Sequence, residues 1–251
     1  MKKINGELTQ RSDDYSLRLS RLHEIAQDLL PMYGVNWHRH SAVVMRKETL
    51  SRALYYFDLY KKIINVPGVI CEFGVQWGAS TATLLNLQNI LEPNNYSRKI
   101  IGFDTFKGFL DVNEKDGSSV DVGDYSTFND YQKILDEILS IHAADSPYKH
   151  IEKYSLVKGD ASETVDLWLK ENPHAIVSMA IFDMDLYEPT KNVLEKILPR
   201  LVKGSILVFD ELNYPGFPGE TMAVNEILGL NNLRLTKSAY QPYCSYAVFG
   251  D

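Results

Sequence analysis

Two stretches of the sequence end apolar runs in closely spaced acids: Ile181-Phe182-Asp183-Met184-Asp185-Leu186-Tyr187 and Leu207-Val208-Phe209-Asp210-Glu211. Each run reads as a buried strand, so its acids emerge together at the carboxyl edge of a sheet, where open α/β folds bind ligands. Four carboxylates brought close repel and raise one another's pKa unless a cation sits among them. Oxygen donors with no cysteine or histidine inside either motif suit Mg²⁺, with Ca²⁺ as the alternative, better than zinc. Asp183, Asp210 and Glu211 are the expected metal ligands, and Asp185 is the free carboxylate available as general base. Such a set activates a hydroxyl: the ion lowers its pKa and orients it while the base takes its proton. The alternative is that these acids only cap helix N-termini.

A second constellation points to a nucleoside-shaped ligand. In Glu72-Phe73-Gly74-Val75-Gln76-Trp77-Gly78-Ala79-Ser80, Gly74 and Gly78 allow a tight turn, and a helix starting near Ser80 aims free N–H groups at whatever lies above it. The spacing is not G-x-G-x-x-G, so a dinucleotide pyrophosphate is not expected. Asp104, closing Gly102-Phe103-Asp104, is placed to accept hydrogen bonds from ribose hydroxyls. Asp160, in Gly159-Asp160-Ala161, is suited to an adenine amino group. Helix capping is the competing role for Asp104 and Asp160.

The elements that must position these groups follow from hydrophobic patterning. Apolar runs at Val69–Phe73, Lys99–Phe103, Tyr154–Val157, Ala175–Phe182 and Ser205–Phe209 alternate with helical stretches, and a final pair lies around Leu233–Leu235 and Tyr246–Phe249. This is the pattern of an α/β fold with a mostly parallel sheet. Pro189 suits a first helical turn, and Gly204 is expected to close that helix ahead of a strand at Ser205. Upstream, helices are predicted at Tyr15–Leu30, on Leu19, Leu22, Ile25, Ala26 and Leu29, and at Thr49–Ile64, with Leu50, Ala53, Leu54, Phe57, Tyr60 and Ile64 facing inward. The division is therefore an N-terminal helical cap over 1–66 and an α/β domain over 67–251. Within that domain an insertion over about 105–150 carries a polar Asp111–Asp124 segment and a helix near Phe128–His142, and is expected to form a lid or substrate-facing wall. Trp37-His38-Arg39-His40 and the stiff loop Tyr214–Gly219 are candidates to border the substrate, whereas Tyr240, Tyr243 and Tyr246 are expected to pack.

Charge and composition exclude other classes. A formal charge of −7 and a pI near 5.4, with no basic stripe, argue against nucleic acid. No run of about 18 apolar residues and no signal-like N-terminus occurs, so no membrane association is expected. Cys71 and Cys244 lie far apart, with Cys71 inside an apolar run, which points to free thiols and a cytoplasmic protein.

From Val69 to Gly250 the chain resembles the macrocin O-methyltransferase (TylF) family. The likeness rests on Glu72-Phe73-Gly74-Val75 with Gly78, on Gly102-Phe103-Asp104-Thr105-Phe106-Lys107-Gly108-Phe109, and on Asp183-Met184-Asp185-Leu186-Tyr187-Glu188-Pro189-Thr190 followed by Asp210-Glu211. It implies a Rossmann-like class I methyltransferase fold, with a mostly parallel seven-stranded sheet, helices on both faces and an N-terminal helical cap. It further implies S-adenosyl-L-methionine as methyl donor, a sugar hydroxyl of a small glycosylated molecule as acceptor, and a homodimer or higher homo-oligomer. The Mg²⁺ ligands would be Asp183, Asp210 and Glu211, and the catalytic base Asp185. Glu72, Phe73, Gly74, Gly78, Ser80, Asp104, Thr105, Asp160, Ala161 and Asp183 are the expected cofactor contacts. Glu211 stands where the family often shows a second Asp, and Thr105 where Ser is common. Two alternatives are a catechol-type phenolic O-methyltransferase, whose usual lysine base would fall where this chain has Leu186, and a catalytically silent protein of the same fold.

Overall fold

The computed structural model describes residues 2–4, 6–9 and 11–250. Strands β1 (Lys2–Ile4) and β2 (Glu7–Thr9) form an antiparallel hairpin that the polar N-terminal sequence does not announce. Helices α1 (Asp13–Leu29), α2 (Trp37–His40) and α3 (Lys47–Ile63) follow. The α/β units are β3 (Val69–Phe73), α4 (Ala79–Leu91), β4 (Ile100–Asp104), α5 (Tyr131–Ala143), β5 (Tyr154–Lys158), α6 (Ala161–Glu171), β6 (Val177–Phe182), α7 (Tyr187–Ile197) and β7 (Leu201–Phe209). Helix α8 (Pro218–Ile227) and strands β8 (Thr236–Lys237) and β9 (Ser245–Val248) complete the chain.

Seven strands form one sheet in the order β5-β4-β3-β6-β7-β9-β8. The first five are mutually parallel, and β9 runs antiparallel to β7 and β8. This is the expected Rossmann-like arrangement. The chain builds outward from β3 through β4 to β5, then returns to place β6 on the other side of β3. That reversal opens a crevice at the carboxyl ends of the strands.

Both faces are covered, which explains the nearly unbroken apolar strand sequences. On one face α3, α4 and α5 pack Tyr56, Leu59, Ile63, Leu84 and Leu139 against Ile70, Ile100, Met179 and Ile206. On the other, Phe73, Phe103, Phe182 and Phe209 form a row, with successive centroids of Phe103, Phe73, Phe182 and Phe209 4.9, 5.4 and 5.5 Å apart, beneath α6 and α7. The row holds the ends of β3, β4, β6 and β7 level, so the acids that follow share one edge.

Helix α3 buries a different face from the one its aliphatic residues suggest. Tyr55, Tyr56, Leu59, Tyr60 and Ile63 are buried, while Leu50, Leu54 and Ile64 are exposed. Tyrosine rings bring more apolar area to the sheet than the leucines would, and the hydroxyls of Tyr56 and Tyr60 reach polar partners at its rim, Arg52 and Glu92. The second expected cap helix is thus integral to one face of the sheet, whereas α1 buries none of its residues. Gly204 lies within β7, at φ +91°, rather than ahead of it, because α7 already ends at Ile197. The penultimate strand falls at Thr236–Lys237, just beyond Leu233–Leu235, whose leucines pack beneath the second face.

At the opposite, amino-terminal edge, buried Arg98 ties three elements together. Its Nε donates to Glu92 at 2.6 Å, Nη1 to the Gly68 carbonyl at 3.0 Å and Ser178 Oγ at 2.7 Å, and Nη2 to the Ile63 and Val66 carbonyls at 3.0 and 3.1 Å. Removing one partner of a buried ion pair costs about 3–5 kcal/mol. Arg98→Met is expected to lower urea-unfolding stability by that amount while leaving affinity for the cofactor product unchanged in the folded protein. Stability within about 1 kcal/mol of wild type would contradict this assignment.

Candidate active site

The carboxyl edge opens on a cavity of about 1280 Å³. On its cofactor side the wall is the turn from β3 to α4. Asp104 clamps that turn: one carboxylate oxygen accepts from the Val75 and Gln76 N–H groups at 2.7 and 2.9 Å, and the other from the Phe106 N–H. Gly74 has φ +95°, and a Cβ there would lie 1.8 Å from the Asp183 carbonyl oxygen. At Gly78, φ +75°, a Cβ would run into Leu135 of α5. Gly74 is therefore required by the backbone packed against the turn, a stronger demand than close approach of a ligand, and Gly78 by its left-handed conformation.

Of the expected cofactor contacts, Gly74, Ser80, Asp104, Thr105, Asp160, Ala161 and Asp183 line the cavity. Asp160 caps α6, accepting from the Ser162 N–H at 2.7 Å, which is the competing role weighed for it, and it also borders the cavity. Thr105 donates to the Gly108 carbonyl at 2.8 Å, which braces the start of the insertion. Glu72, Phe73 and Gly78 stand behind the cavity lining. Glu72 is fully buried and accepts from the Thr81 hydroxyl, and burial followed by the nearby Asp183 charge pushes its pKa up to about 8. Phe73 belongs to the aromatic row. Trp37-His38-Arg39-His40 lies in α2, away from the cavity lining, and Tyr214 and Phe217 pack with Phe109, Val120 and Leu186 under the insertion.

The acidic end gathers as the sequence implied. Asp183 follows β6, Asp210 follows β7, and Phe182 pairs with Phe209 in register just before them. Asp183, Asp185, Asp210 and Glu211 all line the cavity. Asp185 sits at φ +64° in a tight turn in which the Leu186 N–H donates to the Met184 carbonyl at 2.7 Å. A non-glycine residue held in this region stores about 1–3 kcal/mol of strain, and such strain concentrates at functional sites.

Four further residues complete the arrangement. Asp116, buried inside the polar insertion, accepts from the Tyr187 N–H at 2.6 Å and the Asn113 N–H at 2.7 Å, so the insertion caps the helix that follows Asp185. Glu220, buried in the first turn of α8, accepts from the Glu211 N–H at 3.1 Å. Arg52 of α3 reaches across the acids, Nη2 to Asp183 Oδ2 at 2.7 Å and Nη1 to the two oxygens of Asp210 at 3.0 and 3.1 Å. The Cys244 thiol donates to Asp210 Oδ1 at 2.9 Å. Arg52 has a faint sequence signal, lying four residues before buried Tyr56 on the same helical stripe; Asp116 and Glu220 look like ordinary acids of a polar loop and a helix start.

One guanidinium faces five carboxylates here. Burial first, then mutual repulsion, pushes Asp183 up to about 7 and Glu211 up to about 10, and drives Asp185 and Glu220 well above the usual carboxylate range. Glu211 Oε2 and Glu220 Oε2 are buried without a hydrogen-bond partner. Among the described residues no group of three or more His, Cys, Asp or Glu side chains is drawn together tightly enough to hold a metal ion, since Arg52 lies between Asp183 and Asp210.

Comparison with known proteins accords with this geometry. A family model for a methyltransferase domain matches residues 71–212. No curated protein matches the sequence. Two structures of CalS11 align along nearly the whole chain. The first, a calicheamicin methyltransferase, is 35% identical, with 100% of this chain and 98% of that chain covered and a TM-score of 0.91. The second, the apo form described as a TDP-rhamnose 3'-O-methyltransferase of calicheamicin biosynthesis, is 34% identical over 97% and 98%, with a TM-score of 0.86. The O-methyltransferase NovP, 19% identical over 80% and 79% with a TM-score of 0.53, shares the fold. With the match covering more than half of the chain and with these two full-length likenesses, the protein belongs to the methyltransferase-domain family, as an S-adenosylmethionine-dependent O-methyltransferase.

Proposed function

We propose that the protein methylates a sugar hydroxyl of a glycosylated natural product or related glycan, with Mg²⁺ as cofactor, as a member of the macrocin O-methyltransferase (TylF) group. The observation that carries this reading is that the β3–α4 turn and the acids after β6 and β7 open on one cavity. The sugar class is supported by CalS11, which is a TDP-rhamnose 3'-O-methyltransferase. The donor set suits Mg²⁺: every candidate ligand is a carboxylate, and the orphaned Glu211 Oε2 asks for positive charge that Arg52 does not deliver. Asp183, Asp210 and Glu211 would hold the ion, which when bound lowers the pKa of an acceptor hydroxyl and orients it.

The remaining roles belong to the chain itself. Asp104 and Asp160 bind the ribose and adenine of the donor from lone pairs left free by their backbone bonds, and Ser80 at the start of α4 completes the cradle. Asp185, presented by its strained turn, takes the acceptor proton as the oxygen attacks the methyl group. Phe103, Phe109 and Leu110 line the cavity and exclude water from the transfer. A phenolic acceptor is disfavoured because Leu186, where a lysine base would stand, is buried in the small apolar cluster under the insertion. The apolar residues that α1 leaves uncovered, Leu17 among them, suit a homo-oligomer. Cys71 and Cys244, both free and buried, suit a cytoplasmic protein; no helix among the described residues is long and apolar enough to cross a membrane.

The direct test is mass spectrometry of S-adenosylhomocysteine and methylated product from a panel of nucleotide-linked deoxysugars, glycosides and catechols, with Mg²⁺ or EDTA. Product from catechols alone would sink the sugar assignment. Asp185→Asn is expected to lower kcat by about 10²–10⁴-fold with S-adenosylhomocysteine affinity unchanged in calorimetry, and near-normal turnover would remove Asp185 from the base role.

Stability supplies an independent check. Asp183 ionises at about 7 in the folded, ion-free chain and near 3.8 otherwise, so the native state holds the extra proton. Its contribution therefore favours folding at low pH and fades as pH rises from about 4 to about 7. In chelated protein the melting temperature of Asp183→Asn relative to wild type should be higher near pH 8 than near pH 5, and millimolar Mg²⁺ should raise the wild-type value more at the higher pH. A difference between the two proteins that does not vary with pH would refute the shift.

A further inference from the structure

Arg52 occupies the place between the two strand tips that a divalent ion would need. Its Nη1 engages both oxygens of Asp210, Oδ1 of which also accepts from Cys244, and its Nη2 takes Asp183 Oδ2. A magnesium ion bonds carboxylate oxygens at about 2.0–2.1 Å. A guanidinium donating to the same lone pairs near 3 Å cannot share them, and its charge repels the ion.

The guanidinium is also an incomplete substitute. It has no hydrogen bond to Glu211, whose Oε2 stays buried and unpartnered. It is free to leave, because it is half-buried, borders the cavity and, among the described residues, is otherwise held only by a 3.3 Å bond to Tyr56 Oη and by contact with that ring, whose centroid is 5.5 Å away.

We propose that Arg52 is a displaceable internal cation: it neutralises Asp183 and Asp210 while the ion is absent, competes with the ion for their oxygens, and swings into the cavity when the ion binds. The inference rests on the Mg²⁺ reading above. It adds that ion loading releases a contact between α3 and the catalytic edge, so the N-terminal segment senses whether the site is charged. Arg52 is thus a positioning residue whose two alternatives are set by the occupancy of the acids.

The test is Mn²⁺ binding to the purified full-length chain, followed by electron paramagnetic resonance of free Mn²⁺, with folding checked by circular dichroism. Arg52→Met should bind Mn²⁺ about tenfold or more tightly than wild type, a coupling of ordinary size between two mutually exclusive occupants. Adding Asp210→Asn to that variant should remove the gain. If methionine prevents folding, Arg52→Lys, which keeps the charge without the planar fork, should bind about threefold more tightly than wild type. Unchanged or weaker binding by a folded Arg52 variant overturns the exchange and leaves the Mg²⁺ reading standing, and a gain that survives Asp210→Asn also overturns it. No Mn²⁺ binding by any of the proteins overturns both.

Discussion

The site is governed by the cost of burying like charges. Asp183, Asp185, Asp210 and Glu211 are brought together because β6 and β7, which they follow, lie side by side with their ends fixed by a row of phenylalanines deep in the fold, and Glu220 joins them from the first turn of α8. Desolvated carboxylates this close cannot all stay ionised on one guanidinium. The edge therefore takes up protons and an arginine, and each changes the charge that the remaining acids carry. The role proposed for Asp185 depends on this balance, since a base must be free of its proton before it can take another.

The surrounding elements serve that edge from three directions. Helix α3 brings Arg52 from one face of the sheet. The insertion brings Asp116, which grips the Tyr187 N–H immediately after the strained Asp185 turn. Helix α8 brings Glu220 beneath Glu211. The β1–β2 hairpin joins in from the far side: Lys3 pairs with Asp121 and Asp124 at 2.6 and 2.5 Å, and Gln76 on the cofactor turn donates to Glu7 at 3.0 Å. Cap, insertion and catalytic sheet are linked through charged side chains at the cavity rim.

Much of this was legible in the residues alone, for a physical reason. Parallel strands covered on both faces must be continuously apolar, so their ends, and the acids at those ends, stand out against the pattern. Asp183, Asp185, Asp210 and Glu211 were found that way, as were Asp104 and Asp160. What patterning could not reach were groups whose partners are distant in sequence. Arg52 meets Asp183 and Asp210 over separations of 131 and 158 residues. Asp116 meets Tyr187 over 71. The buried face of α3 was misread because tyrosine counts as amphipathic in any periodicity argument, yet here it fills the core. The glycines were located correctly and explained incompletely: a one-dimensional pattern registers that a side chain is missing, and only the fold reveals which neighbour fills the gap.

The seam at Gly74 carries a consequence for how such a protein diversifies. The peptide of Asp183 occupies the volume a side chain at position 74 would need, and its N–H donates to the Phe73 carbonyl at 2.8 Å, so the β3–α4 turn and the acids after β6 are halves of one rigid joint. Neither half can drift without the other. Variation in what is methylated is thereby channelled into the loops and helices around the rim, which can be remodelled over generations while the machinery that delivers the methyl group stays in alignment.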